Sequence, residues 1–327
     1  MTKFGSAFLD SIKNRFSNKE EMVDTISNIL FLNRNAVYRR LRGDTDFTFD
    51  EVCTLAQALG ISLDQFIQNQ SNIAICTHRL YDKNDNSLEA FLNDTLNSFR
   101  KAIGLKNVKL FYSSKGLPFF IFLNSPKLLA FKLFVWEVGS WNAEKIHNYK
   151  FNTDWLNEQH LEIANEIYQC YGNIPSYEIW SRTILESTFE QIHYLRSVGC
   201  LEDTALVIEI LQELNEVLLE AKKLTDIGKK TWGSQASEFH LYQSELFNST
   251  NNVFYVESDE LSFVSWTFCD PDYVISQDPA LCNRASLWLK NLIHQSNGIT
   301  NHSLKNRNEF FSYLSKQIEL EIQKYSD

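Results

Sequence analysis

The chain has 327 residues, 44% of them apolar and 22% charged, which is enough for a sizeable core and for about two domains. Its net charge of −10 excludes a protein that coats nucleic acid broadly, although one small DNA-reading module remains compatible with it. No run approaches the roughly 18 apolar residues of a membrane span. The opening Met1-Thr2-Lys3-Phe4-Gly5 lacks the apolar core of a signal peptide, so neither a membrane nor an exported protein is expected. Cys53, Cys76, Cys170, Cys200, Cys269 and Cys282 form no C-x-x-C pair, which fits a reducing, cytoplasmic setting rather than a disulfide framework or zinc site.

The acidity is unevenly distributed. Residues 1–70 carry 8 Lys/Arg and 9 Asp/Glu, whereas residues 71–327 carry 23 and 32. Within the small segment Arg34, Arg39, Arg40 and Arg42 fall close together with no acid among them, and Asp44 and Asp46 follow. Such a cluster is either a solvated helix face or a phosphate-facing one.

Helical spacing opens the chain. Phe4, Ala7, Phe8, Leu9, Ile12 and Phe16 share a face over residues 4–16. Asn18 is placed to cap a second helix with Glu20 and Glu21 in its first turn and an apolar stripe of Met22, Val23, Ile26, Ile29 and Leu30. Asn33 caps a third helix, residues 34–42, which Gly43 stops. There Val37 and Leu41 face the core, and Asn35, Tyr38, Arg39 and Arg42 lie at offsets that place them on another face. Asn can pair bidentately with adenine and Arg with guanine in the major groove. Arg and Tyr can also hold phosphates, the role expected of Arg34 and Arg40. Thr48 and Glu51 form a capping box for a fourth helix, closed by Gly60, and Ser62 caps a fifth short one with Leu63, Phe66 and Ile67.

These residues resemble the Cro/C1 (XRE-like) helix-turn-helix domain. The match is carried by Ile26, Ser27 and Leu30, by Asn33-Arg34-Asn35-Ala36-Val37-Tyr38-Arg39-Arg40-Leu41-Arg42-Gly43, and most strongly by Leu55-Ala56-Gln57-Ala58-Leu59-Gly60-Ile61-Ser62-Leu63-Asp64-Gln65-Phe66. It covers about a fifth of the chain. It implies a five-helix, lambda-repressor-like domain whose recognition helix enters the major groove of double-stranded DNA. It also implies a homodimer on a two-fold-symmetric operator. Two positions depart from the family: Val23 stands where Gln often contacts the DNA backbone, and Phe31 where Gly usually makes the turn. Gly serves a positive φ there, which is costly for Phe, so a reshaped or lengthened turn is expected.

Residues 71–86 read as a linker, with a polar loop at 82–86. The large region, 87–327, begins with a helix over 88–103. Strands are expected over 108–113 and 117–123. Residues 128–138 are apolar enough for a buried strand or a core helix. Helices follow over 157–171, 176–198 and 201–224, the last two long enough to pair within the chain or across a dimer. Strands over 238–247, 252–257 and 261–268 precede helices over 283–294 and 308–324. The expected whole is an all-α N-terminal domain, residues 1–70, followed by a helix-dominated α+β domain with small antiparallel sheet elements.

The large region shows no HExxH, P-loop, GxGxxG or GxSxG motif. The acids Asp270, Asp272 and Asp278 read as a solvated loop, and Glu186/Glu190 and Glu216/Glu220 lack the histidines of a carboxylate-bridged metal site. No catalytic residue, metal or cofactor is therefore expected. Among the 24 Phe, 13 Tyr and 7 Trp, some fill the core; others are available for an apolar ligand pocket or a subunit interface. The leading expectation is a dimeric transcriptional regulator whose large domain dimerises and has room for a small-molecule or protein effector. The alternatives are an interaction or scaffold protein whose N-terminal helices bind another protein, and an enzyme tethered to DNA.

Overall fold

The computed structural model describes residues 3–66, 74–81, 87–141, 149–245, 251–300 and 302–326; the expected loop at 82–86 and Ile67 lie outside them. The chain divides into two compact units, Met1–Ile75 and Cys76–Asp327.

The first unit contains α1 (Lys3–Lys13), α2 (Lys19–Leu30), α3 (Arg34–Arg42) and α4 (Phe49–Leu59). Local chemistry sets their ends. Asn18 accepts from the Glu20 N–H and Asn33 from the Ala36 N–H, and Thr48 and Glu51 form a complete capping box. Gly43 and Gly60 take left-handed caps at φ 82° and 60°. The Arg15 guanidinium donates to the carbonyls of Leu59 and Gly60, covering the negative end of α4. Phe8, Ile12, Met22, Val23, Ile26, Val37, Leu55, Ala56 and Ile61 form its core. The expected five-helix lambda-repressor-like arrangement is not found: after α4 the described chain makes only a 3-10 turn, Leu63–Phe66. That segment is too short for an α-helical ladder, and the unit holds it through Phe66, whose ring meets Phe8 edge to face.

The second unit corrects the expectation more deeply. Its strands are β1 (Thr77–Arg79), β2 (Lys109–Ser113), β3 (Ser176–Trp180), β4 (Lys229–Lys230), β5 (Ser237–Gln243), β6 (Val253–Glu257), β7 (Ser262–Cys269), β8 (Asp272–Ser276) and β9 (Asn297–Gly298). Instead of small antiparallel pieces, the described strands make one nine-stranded mixed sheet, ordered β1-β8-β7-β6-β2-β3-β5-β4, with β9 on β5. β2, β3 and β5 are neighbours and run parallel, toward the end of the sheet that β4 and β9 close, and the flanking pairs are antiparallel. The segment read as a linker thus supplies β1. Residues 176–180, read as the start of a helix, supply β3. Residues 117–123, read as a strand, make a 3-10 turn at Phe119–Ile121.

The helices are α5 (Ser87–Ile103), α6 (Pro126–Trp136), α7 (Glu158–Gly172), α8 (Glu186–Ser197), α9 (Thr204–Ile227), α10 (Pro279–His294) and α11 (Leu304–Gln323). The ambiguous run at 128–138 falls mostly in α6, with Pro126 in its first turn. One sheet face, through Leu110, Tyr112, Trp180, Phe239, Leu241 and Val256, joins the main core with α5, α6, α7, α9 and α11. The opposite face, through Phe111, Ile179, Tyr255 and Val264, packs on Cys282, Leu289 and Leu292 of α10. β2 and β3 are largely buried on both sides, as parallel strands usually are, whereas β5 is buried on one side only. α9 spends its apolar face on α6 and α11 within the chain. Among the described residues no helix is long and apolar enough to cross a membrane.

A charged network lies beneath the parallel strands. Glu178 and Lys230 are both fully buried. Glu178 accepts from the Tyr171 hydroxyl and from Trp180 Nε1 at 3.0 Å. Lys230 donates to the Ile174 carbonyl and to Ser176 Oγ, and its ammonium sits 3.6 Å from the Tyr171 ring centroid. Burial pulls the Lys230 ammonium well below its usual value, opposed by the Glu178 charge. Removing one member leaves the others desolvated without their partner. Lys230→Met is therefore expected to destabilise this unit by about 3–5 kcal/mol in denaturant unfolding; a change under about 1 kcal/mol would show the network to be dispensable.

Candidate nucleic-acid interface

α3 is the element that carries the candidate residues, and its roll is fixed from two sides. Val37 is fully buried, with Tyr38 and Leu41 partly buried against the same core. On the flank, Arg40 donates from Nε and Nη2 to both Glu51 oxygens at 2.9 and 2.8 Å, and both side chains are mostly buried. Glu51 also accepts from the Thr48 N–H. One carboxylate thus ties α3 to the start of α4 and completes the α4 cap. Arg40, expected on phosphates, is mostly buried and engaged by Glu51.

The remaining candidates stay in solvent. Arg34, Asn35, Arg39 and Arg42 are exposed, and Tyr38 is half-buried. Arg34 pairs with Asp24 at 3.0 Å, and Arg42 pairs with Asp44 at 3.4 Å while donating to the Tyr38 carbonyl. Arg39 makes no ion pair with a described residue. The structure therefore brings Asn35, Arg39 and Arg42 together on one exposed face and leaves Arg39 as its unneutralised cation. Lys19, whose ammonium lies 5.8 Å from the Tyr38 ring centroid, and Asp24 are not evident from the sequence; only the fold brings α2 beside α3.

Val23 and Phe31, the two positions that depart from the resemblance, each have a defined setting in the structure. Val23 is fully buried, more than one turn inside α2, so it serves the core and faces no ligand. At the turn Phe31 itself adopts the left-handed conformation, φ 53° and ψ 37°. The turn survives because the N–H groups of Phe31 and Leu32 both reach the Ser27 carbonyl and Leu32 returns to the core. The backbone strain is of order 1–2 kcal/mol, and the Phe31 ring recovers nothing from packing, being 95% exposed.

No family model, curated protein or solved structure matches the chain, so the site stands on its geometry. Among the described residues no group of three or more His, Cys, Asp or Glu is placed to hold a metal ion.

Burial alone would raise the Glu51 carboxyl, but the hydrogen bonds from Arg40 and Thr48 outweigh it and hold the group below its ordinary 4.5. A depressed folded value means that the pair's contribution is complete above 4.5 and is lost as pH falls through the folded value. Arg40→Ala is expected to speed hydrogen exchange in α3 and α4 of the full chain at neutral pH, corresponding to about 1–3 kcal/mol. The difference from wild type should shrink below that pH. Unchanged protection would contradict the positioning role.

Proposed function

We propose that the chain is a sequence-specific DNA-binding transcriptional regulator. Its α3 would lie in the major groove of double-stranded DNA, with Asn35, Arg39 and Arg42 at base edges or phosphates and Arg34 on the backbone. The observation that carries this reading is the exposed Asn35-Arg39-Arg42 face on a short helix whose other faces are pinned by Val37 and by the Arg40–Glu51 pair. A helix of nine residues offers few base contacts, so two copies on a two-fold-symmetric operator supply what one lacks. The larger unit is the natural place for homodimerisation and for a small-molecule or protein effector. Six free cysteines accord with a cytoplasmic setting.

A second reading is favoured by one observation. Phe31 and Phe49 are 95% and 77% exposed, and large aromatics in solvent are the chemistry of a protein-contact surface. On that reading the unit is an interaction module that no longer binds DNA.

One experiment separates the two. The full-length chain is used to enrich duplexes from a randomised double-stranded library, and Arg39→Glu and Phe31→Gly are compared on the winners. The DNA reading predicts that Arg39→Glu loses at least about tenfold in affinity, from one base or phosphate contact worth about 1–3 kcal/mol. Phe31→Gly should retain binding and gain up to about 1 kcal/mol of stability by relieving the turn. Failure to enrich any duplex, or equal binding by Arg39→Glu, would overturn it and leave the protein-contact reading.

A further inference from the structure

Three of the four arginines on α3 already have carboxylate partners inside the same unit, and those partners differ in kind. Glu51 is mostly buried and has a second duty in the α4 cap. Asp24 and Asp44 have neither property. Their side chains are 54% and 52% exposed, and each is held by an ion pair alone, with no side-chain hydrogen bond among the described residues. Asp24 comes from the middle of α2, and Asp44 directly follows the Gly43 cap. A carboxylate at 3.0–3.4 Å from a guanidinium competes for the same positive charge that a phosphate would approach. Resting on the DNA reading above, we infer that Asp24 and Asp44 are built-in competitors of the DNA backbone that hold down the affinity of α3 by pairing with Arg34 and Arg42.

The argument is one of exchange. Exposed ion pairs are worth little in water, so DNA can displace them, but each displacement returns an unpaired carboxylate to the edge of a polyanion. The net gain per arginine is then smaller than for a free one such as Arg39. The unit as a whole has no surplus positive charge over residues 1–70, with 8 basic against 9 acidic side chains, so no distant cations offset the loss. Binding would rest on sequence contacts and on paired copies rather than on bulk attraction, and its salt dependence would be shallow.

The test uses the full-length chain and the duplex that wild type enriches from a randomised library. Asp24→Asn and Asp44→Asn should each tighten binding about two- to fivefold at low salt, steepen the salt dependence and add together in the double variant. Asp24→Glu, which keeps the charge, should behave as wild type. Asp10→Asn removes an exposed acid whose partner Lys13 lies on the same helix at 3.2 Å, and so reports the effect of net charge alone. Tightening by Asp24→Asn and Asp44→Asn no greater than by Asp10→Asn overturns the competition while leaving the DNA reading intact. No duplex enriched by wild type or by the double variant overturns both.

Discussion

The bidentate contact between Arg40 and Glu51 decides what α3 can do. Without it, a nine-residue helix held mainly by Val37 could roll and present any of its polar residues to solvent. With it, one of four arginines is withdrawn, the start of α4 is capped, and the face carrying Asn35, Arg39 and Arg42 is turned outward. On the proposed DNA reading, such rigidity would make base-edge contact geometrically selective rather than merely electrostatic. The turn before α3 is unfavourable but tolerated. Phe31 accepts a left-handed backbone so that α2 and α3 keep their mutual packing through Leu32, a local strain offset by the surrounding core.

The larger unit has a different organising constraint. Its parallel strands β2 and β3 are largely buried on both faces, and the buried Glu178 and Lys230 are satisfied only when α7, β3 and β4 are all in place. Such a network contributes little net energy when complete and penalises every arrangement in which it is incomplete. It therefore favours one register for β3 between β2 and β5. The helices that were candidates for a dimer seam are largely committed here: α9 is enclosed by α6 and α11, and the run expected to be its partner divides into β3 and α8.

The legibility of the sequence followed the range of the physics. The caps at Asn18, Asn33 and Thr48 and the stops at Gly43 and Gly60 are decided within four residues, and each stands where the residue pattern places it. The sheet is decided by partners far away in sequence. Ser-Tyr-Glu-Ile-Trp at 176–180 shows no clean apolar alternation, because its buried face includes Ser176 and the network carboxylate Glu178, and it was read into the following helix. β1 has three residues, all exposed, and is a strand only because β8 is beside it. At the candidate interface the exposed face of α3 could be read from helical offsets. The withdrawal of Arg40, and the pairing of Arg34 with Asp24 across two helices, could not, since no local spacing encodes them.

The central claim is that the α3 face reads DNA sequence in the organism's own genome. Its most direct test is mapping of the DNA bound by the native chain in its own cells, beside a chain carrying both Arg39→Glu and Arg42→Glu. The account predicts discrete sites sharing a two-fold-symmetric motif in the first map and their loss in the second. Sites that persist unchanged in the doubly substituted chain would contradict it.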